Sequence, residues 1–424
     1  MGRGARCATG ARIVTDFDLQ ARSTEWEDLD LPALEVLARD SEQRGWRTAL
    51  ADVAPLRPFF VKRLENLSLG NWHLLLALSN DRVALDVGCG FGSLALGLGK
   101  HFNTAVGIDA LWSRISYAAL RAKQERSEGN AFVRATGFDL PVRSSSVDLV
   151  TMNGVLEWAG LYADGDPRAL QLALLREMKR TLAPAGTLAL AIENRFAMES
   201  LAGMPDTHTQ MRLVPAVPRL VADIASRIRR RQPYRTWLYD AGGYRRLARE
   251  AGFAQTRVFD LVSSYNDYDF IVSPGDARSY ALLWKRSLVR SFHDRAAKAR
   301  RALVRVLAGA LGKFAYAYLI FASVAVCTVL DEDHEFWRRA QSHGVSSGAT
   351  RLACQGPSPG SLTIVAHDGE SVASVMTIQA IGAGPPPAPQ AAAQLTPIAQ
   401  ALIGRRLALA ASWNEGGLAV RLYT

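Results

Sequence analysis

The chain has 424 residues, 49% of them hydrophobic and 21% charged, and its 50 basic side chains outnumber 40 acidic ones for a formal net charge of +10. The length suggests two or three domains, and the balance is ordinary for a chain that buries a core, which excludes general disorder. Cys7, Cys89, Cys327 and Cys354 stand far apart with no CxxC pair, so neither a disulfide framework nor a zinc site is indicated and a reducing cytoplasm fits best.

Arg3, Arg6 and Arg12 are followed by no apolar run, so no secretory leader is expected. Residues 1–80 read as an N-terminal helical region, with Leu31, Leu34, Leu37 and Ala38 at helical spacing and a further helix approaching Leu74–Leu78.

From Val83 the pattern changes to short apolar runs alternating with helical stretches. Val83–Val87, Ala105–Ile108, Ala131–Ala135, Val147–Met152 and Thr187–Ile192 read as buried strands, with helices over Ser113–Gln124 and Arg168–Leu182. That alternation predicts an α/β fold with a doubly wound, Rossmann-like sheet. A helix over Tyr244–Ala251 stopping at Gly252, then strands near Gln255–Val262 and Tyr280–Lys285, would bring the sheet to seven strands and bound a domain at 81–286. The proline-broken, arginine-rich stretch 195–240 is too long for an ordinary connection and reads as an acceptor-side insertion.

Residues 287–330 combine a basic helix with an apolar segment. Phe314–Leu330 is at the short limit for a membrane span and, with its β-branched and aromatic content, reads better as a buried strand with its continuation. Basic runs at Lys285–Lys313 and Arg227–Arg235 would attract polyanions, whether lipid headgroups, nucleic acid or phosphorylated sugars. Residues 331–424 read as a small α+β extension, with strands Ser361–Ala366 and Ser371–Ile378 about the turn His367-Asp368-Gly369, a Pro/Ala-rich linker at 382–394, a short helix and a last strand. Asp331, Glu332, Asp333, His334 and Glu335 crowd one segment without a closing partner, so no metal site is expected.

The chemistry centres on Asp86-Val87-Gly88-Cys89-Gly90-Phe91-Gly92, which leaves the first strand and enters a helix near Ser93. Gly88, Gly90 and Gly92 let the backbone turn sharply and approach a ligand. A dinucleotide fingerprint would carry its third glycine where Ser93 stands. The acid-led DxGxGxG spacing suits an amino acid moiety better than a diphosphate, with Asp86 near an ammonium. Asp109, 23 residues on at the end of the second strand, can grip the vicinal hydroxyls of a ribose. Asp139 can accept from an adenine amino group, with the backbone near Leu140 along the ring.

Together DVGCGFG (86–92), GID (107–109), FDLP (138–141), SVDLVTMNGVLEW (146–158) and LAPAGTL (182–188) resemble the class I S-adenosyl-L-methionine (SAM)-dependent methyltransferase superfamily over roughly residues 71–286. NGVLEW, AIENRFAMESLAG (191–203) and DTHT (206–209) look like methyltransferase domains of bacterial cell-surface polysaccharide gene sets, with Asp206-Thr207-His208 in place of a continuous Asp-His-Thr. The resemblance implies SAM as cofactor and a methyl group facing Asn153–Trp158, with Asn153 among the cofactor contacts. A hydroxyl acceptor would benefit from a general base, for which Glu157 and His208 are the candidates, Glu193 and Asn194 lying near. The expected activity is O-methylation of a sugar or lipid-linked glycan intermediate in the cytoplasm, with peripheral attachment to the inner membrane face through 285–313. An RNA methyltransferase and a non-catalytic SAM-binding scaffold are the alternatives.

Overall fold

A computed structural model of the protein describes residue 29, residues 31–76, 82–262 apart from 202, 264–266, 270–272 and 314–325, and six strand segments between 335 and 423. Three helices open it: α1 (Leu31–Arg44), α2 (Trp46–Val53) and α3 (Pro58–Glu65). The apolar periodicity of α1 is real, burying Leu34 and Leu37 with Trp46, Leu50, Phe60 and Leu64 in one cluster. Residues Leu67–Leu75, where an ordinary helix was expected, form a 3-10 helix.

The sheet then follows as β1 (Val83–Val87), β2 (Thr104–Asp109), β3 (Asn130–Arg134), β4 (Val147–Asn153), β5 (Leu182–Glu193), β6 (Gln255–Val262), β7 (Phe270–Val272) and β8 (Ala317–Ser323). Between the strands lie α4 (Ser93–Leu98), α5 (Trp112–Gln124), α6 (Ala159–Tyr162), α7 (Pro167–Thr181), α8 (Met198–Leu201), α9 (Arg219–Arg230) and α10 (Ala241–Glu250). β1 to β5 are mutually parallel, as helical crossovers require. Their order, β3-β2-β1-β4-β5-β8-β6, reverses at β1, where a ligand crevice opens at the strand carboxyl ends. Asp166 caps α7, accepting from the Ala169 N–H at 2.9 Å, and Asp240 caps α10 through the Gly243 N–H at 2.7 Å.

The strand between β5 and β6 is β8, antiparallel to both neighbours, within the segment expected to be a buried strand, while the strand expected at Tyr280–Lys285 lies outside the described residues. All seven residues of β8 are buried. A central strand covered on both faces needs an unbroken apolar run, which is why Phe314–Leu330 resembles a short span in hydropathy. The sheet domain therefore extends past 286 to at least Ser323. Among the described residues no helix is long and apolar enough to cross a membrane.

Beyond β7 the sheet continues through β9 (Glu335–Arg338), β10 (Thr350–Ala353), β11 (Ser361–Asp368) and β12 (Ser371–Gln379), all antiparallel. β11 and β12 form the hairpin expected about residues 367–369. A separate pair, β13 (Ala408–Asn414) and β14 (Gly417–Tyr423), follows. The Pro/Ala-rich linker, the short helix after it, the basic run 285–313 and the acidic residues 331–334 lie outside the described residues.

Candidate functional site: a cofactor cavity and a buried acid–histidine cluster

At the carboxyl edge of β1, β2 and β4 lies a cavity of about 220 Å³. Its floor is the glycine loop, pinned to the next strand by Gly88 and Cys89 N–H donating to the Ile108 carbonyl at 2.7 and 2.9 Å. Gly88 adopts φ +73°, and a Cβ there would come 2.4 Å from Val155 Cγ2. Gly90 has φ +53°, and a Cβ there would meet no protein atom within 4 Å. The backbone at Gly90 is thus bared to the cavity. Gly92, with φ +84°, serves as the left-handed N-cap of α4.

Asp86 is buried at the head of this loop. One carboxylate oxygen accepts from Thr151 Oγ1 at 2.8 Å, and the other has no hydrogen-bond partner. Burial pushes its pKa up to about 7. A buried carboxylate oxygen without a donor costs stability until a cation or donor reaches it, which fits an ammonium group. Asp109 also lines the cavity. Its oxygens accept from the Gly90 N–H and the Leu111 N–H, both at 3.0 Å, so the carboxylate is held rigid with lone pairs left for hydroxyl donors. Asn153, at the end of β4, donates to Asn266 Oδ1 at 3.0 Å and keeps its own Oδ1 unpartnered.

Two residues named from the sequence do not reach the cavity. Asp139 is exposed, and Leu140 is buried in the core, its N–H donating to Glu177 at 2.9 Å. The wall at that place is Ala135, Thr136, Gly137 and Phe138 instead. The loop turns there, so its first residues face the cavity and the acid faces water.

Sequence reasoning missed the closing wall. Arg63, Leu64 and Leu69 of the N-terminal helical region line the cavity, as do Tyr265 and Asn266 after β6. Arg121 of α5 fastens the N-terminal part in place. Fully buried, it donates to the Phe91 carbonyl at 2.7 Å, to Ser93 Oγ at 3.0 Å and to the Leu64 carbonyl at 2.8 Å, with its guanidinium 4.5 Å from the Trp46 ring. Burial lowers its pKa to about 10, leaving it cationic. An arginine inside a helix carries no sequence mark for such a role.

The two catalytic candidates do come together, behind the cavity. His208 Nε2 lies 3.6 Å from Glu157 Oε1, and Nδ1 lies 3.5 Å from Glu193 Oε2 and 3.3 Å from Asp206 Oδ1. Asp206 also accepts from the N–H and Oγ1 of Thr209 at 2.8 and 2.6 Å, while Thr207 Oγ1 and the Tyr316 hydroxyl donate to Glu193 at 2.9 and 3.2 Å. All four charged groups are buried. The Asp206-Thr207-His208 spacing still unites acid and histidine, because the chain turns there. Trp158 lines the cavity and packs on His208 with ring centroids 4.9 Å apart, so one indole separates the two compartments.

Burial by itself would lower the pKa of His208, but Glu193, Asp206 and Glu157 together hold it well above the ordinary histidine range. Burial raises Glu193, with Glu157 and Asp206 adding to the shift. For Asp206, burial is outweighed by His208 and Thr209, which bring it below the usual carboxylate range. The resting cluster therefore holds an imidazolium against ionised Asp206. Glu193, Asp206 and His208 offer ligand atoms within 4.8 Å of one another.

Residues 85–190 match the family described as "Methyltransferase domain". No curated protein matches the chain. Similar solved structures include a Haemonchus contortus phosphoethanolamine N-methyltransferase 2 crystallised with S-adenosylhomocysteine (13% identity, 68% of this chain and 59% of that one, TM-score 0.38). A geranyl diphosphate C-methyltransferase from Streptomyces coelicolor shows 14% identity over 73% of this chain and 98% of that one, TM-score 0.39. YcgJ from Bacillus subtilis shows 16% over 60% and 97%, TM-score 0.35. The chain thus spans about three fifths of the first of these.

The sheet order, the acid-led glycine loop and the domain match define a class I methyltransferase fold. Within that fold, residues 85–190 match a methyltransferase domain.

Proposed function

We propose that the protein methylates a hydroxyl of a sugar or lipid-linked glycan intermediate, using the buried acid–histidine cluster to handle the acceptor proton. The observation that carries this reading is the placement of Glu157 and His208 directly behind Trp158, at the end of the cavity where Asn153 closes β4. SAM supplies an electrophilic sulfonium methyl. Asp86 receives the ammonium, Asp109 the ribose hydroxyls, and Thr136–Phe138 line the adenine side. The chain's remaining work is alignment and exclusion of water.

Because His208 is held as a cation, a carboxylate is the proton acceptor. Glu157, fully buried and without a hydrogen bond on either oxygen, takes that role. His208 Nε2, 3.6 Å away, holds Glu157 in place. Cell-surface polysaccharide precursors fit through the chain's likeness at residues 153–158, 191–203 and 206–209.

The RNA alternative would use the arginines of 227–235. Two are committed within the fold: Arg227 pairs with Asp223 at 2.7 Å, and Arg235 donates to the carbonyls of Gly160, Ala163 and Gly165. The test supplies labelled SAM with glycan extracts or total RNA. Transfer to glycan, abolished by roughly 1,000-fold in Glu157→Gln with SAM affinity unchanged, supports the reading, since general base catalysis contributes about 10²–10⁴-fold. Label in RNA alone, or SAM binding with no transfer, refutes it.

A further inference from the structure

Helix α9 is amphipathic in the wrong sense for a protein interior. The face packed on the molecule carries small side chains, Ala222 and Ser226, both fully buried. Its large aliphatic side chains point the other way: Leu220 is 72% exposed, Val221 50%, Ile224 50% and Ile228 79%. At about 100° per residue these four fall within an arc of roughly 100°, opposite the buried pair. Folding to bury a core places such residues inward, so this outward stripe needs a partner. Seven of the eleven exposed large apolar side chains among the described residues lie between Leu201 and Ile228, in the insertion that carries α9.

The charges around the stripe say what the partner is. Arg219, Arg227, Arg229, Arg230 and Arg231 lie on or directly after the helix, with Asp223 its one acid. Asp223 is bound to Arg227 at 2.7 Å and to the Tyr234 N–H at 3.0 Å. Arg219 is stacked on Trp237 and Tyr239, 4.0 and 4.6 Å from the ring centroids. The apolar arc is therefore flanked by exposed Arg229 and Arg231. A polar nucleic acid would match the arginines but leave the aliphatic stripe in water. A lipid bilayer with anionic headgroups matches both, the stripe entering the headgroup–acyl boundary and the guanidiniums meeting phosphates.

The helix is also rigidly mounted. Ala222 packs with Met211, Val214 and Tyr234 in a small core of its own, and Arg195 ties the preceding turn by donating to the Pro215 and Val217 carbonyls at 2.8 and 2.7 Å. A pre-formed helix avoids the cost of folding on the surface.

We propose that α9 is an interfacial helix that docks this protein on an anionic membrane surface, lying flat through Leu220, Val221, Ile224 and Ile228. This is independent of the basic run 285–313 and of which acceptor is methylated. The insertion also carries Asp206 and His208, so docking sets the acceptor side of the enzyme against the bilayer.

The test is flotation of the full-length protein with phosphatidylcholine vesicles containing about 30% phosphatidylglycerol, and with phosphatidylcholine alone. Wild type is expected to float with the anionic vesicles and at least fivefold less with the neutral ones. Ile224→Asp/Ile228→Asp is expected to lose at least tenfold in binding, and Arg229→Gln/Arg231→Gln several-fold, both with unchanged SAM affinity and melting temperature. Wild-type protein that stays unbound overturns the proposal. So does vesicle binding that survives Ile224→Asp/Ile228→Asp, or an affinity for RNA that exceeds that for vesicles and ignores the aliphatic substitutions.

Discussion

The cofactor cavity and the acid–histidine cluster stand on either side of Trp158 and are built on opposite plans. The floor of the cavity is made of backbone: the glycine loop, two pinned N–H groups and the ends of two adjacent parallel strands. Its carboxylates, Asp86 and Asp109, sit at the mouths of β1 and β2. The cluster is made of side chains gathered from residues 157, 193, 206 and 208 and covered on every side. A site that receives a ligand of fixed shape needs a cradle. One that moves a proton needs charges kept from water, where their mutual influence is largest.

The largest effect that would break this comparison is at the cradle. Gly90→Ala adds one methyl where no protein atom lies within 4 Å, so it points into space the cofactor uses. The left-handed backbone costs about 1–2 kcal/mol with a side chain, lowering the melting point by several degrees. We expect SAM affinity measured by calorimetry to fall about 100-fold, which is roughly 2.8 kcal/mol at about 1.4 kcal/mol per decade. Affinity within threefold of wild type would mean that the cofactor does not press on this loop.

Asp109→Ala comes next. It removes a charged acceptor for ribose hydroxyls, worth about 1.5–3 kcal/mol, and frees the Gly90 and Leu111 N–H groups. We expect a loss of roughly 30-fold in SAM affinity with turnover at saturating SAM little altered. Asp109→Asn keeps one acceptor oxygen and should lose less. Equal losses in the two variants would assign the effect to the loop's shape instead of to the carboxylate.

These two positions were legible in the sequence for a physical reason. A cradle of backbone is encoded locally, by glycines and by an acid at a strand end, and so is the alternation of buried strands with helices. The strands β1, β2, β4 and β6 stand within a residue of where periodicity puts them. What was not legible is whatever depends on contacts far along the chain. The place of β8 beside β5 joins residues more than 120 apart, and its apolar run marks a buried strand without saying which strands it pairs with. Arg121, which locks Leu64 to Phe91, looks like any basic residue in a helix. Glu157 and His208 were visible as candidates, but their meeting with Glu193 and Asp206, and the consequent charge on the imidazole, exist only in the folded insertion. The same holds for α9, whose sequence shows an arginine run within an insertion but not a helix with its aliphatic face turned outward.

A smaller effect sharpens the electrostatic side. With burial holding Asp86 near a pKa of about 7, the raised value works against the free protein. The neutral carboxyl is favoured in the fold, so this contribution to stability is complete below pH about 4 and lost as pH rises to about 7. An ammonium reverses the preference by pairing with the ionised form. SAM affinity should therefore fall about eightfold between pH 7.5 and pH 6 as Asp86 takes a proton. In Asp86→Asn the slope should vanish. A flat profile in the wild type would mean that Asp86 is ionised at both pH values or does not meet the ammonium.

The smallest effect expected decides how the adenine is held. The motif around residues 138–141 makes Asp139 the obvious partner for an exocyclic amino group, yet the side chain is exposed while Thr136, Gly137 and Phe138 face the cavity. A hydrogen bond at an exposed position exchanges with water and contributes little net. We therefore expect Asp139→Ala to change SAM affinity by less than twofold, while Phe138→Ala, which removes a buried ring from the wall, costs more in both affinity and stability. A tenfold loss in Asp139→Ala would show that the loop turns over on binding and brings the acid inward, in which case the cradle is completed by the ligand and is not wholly pre-formed.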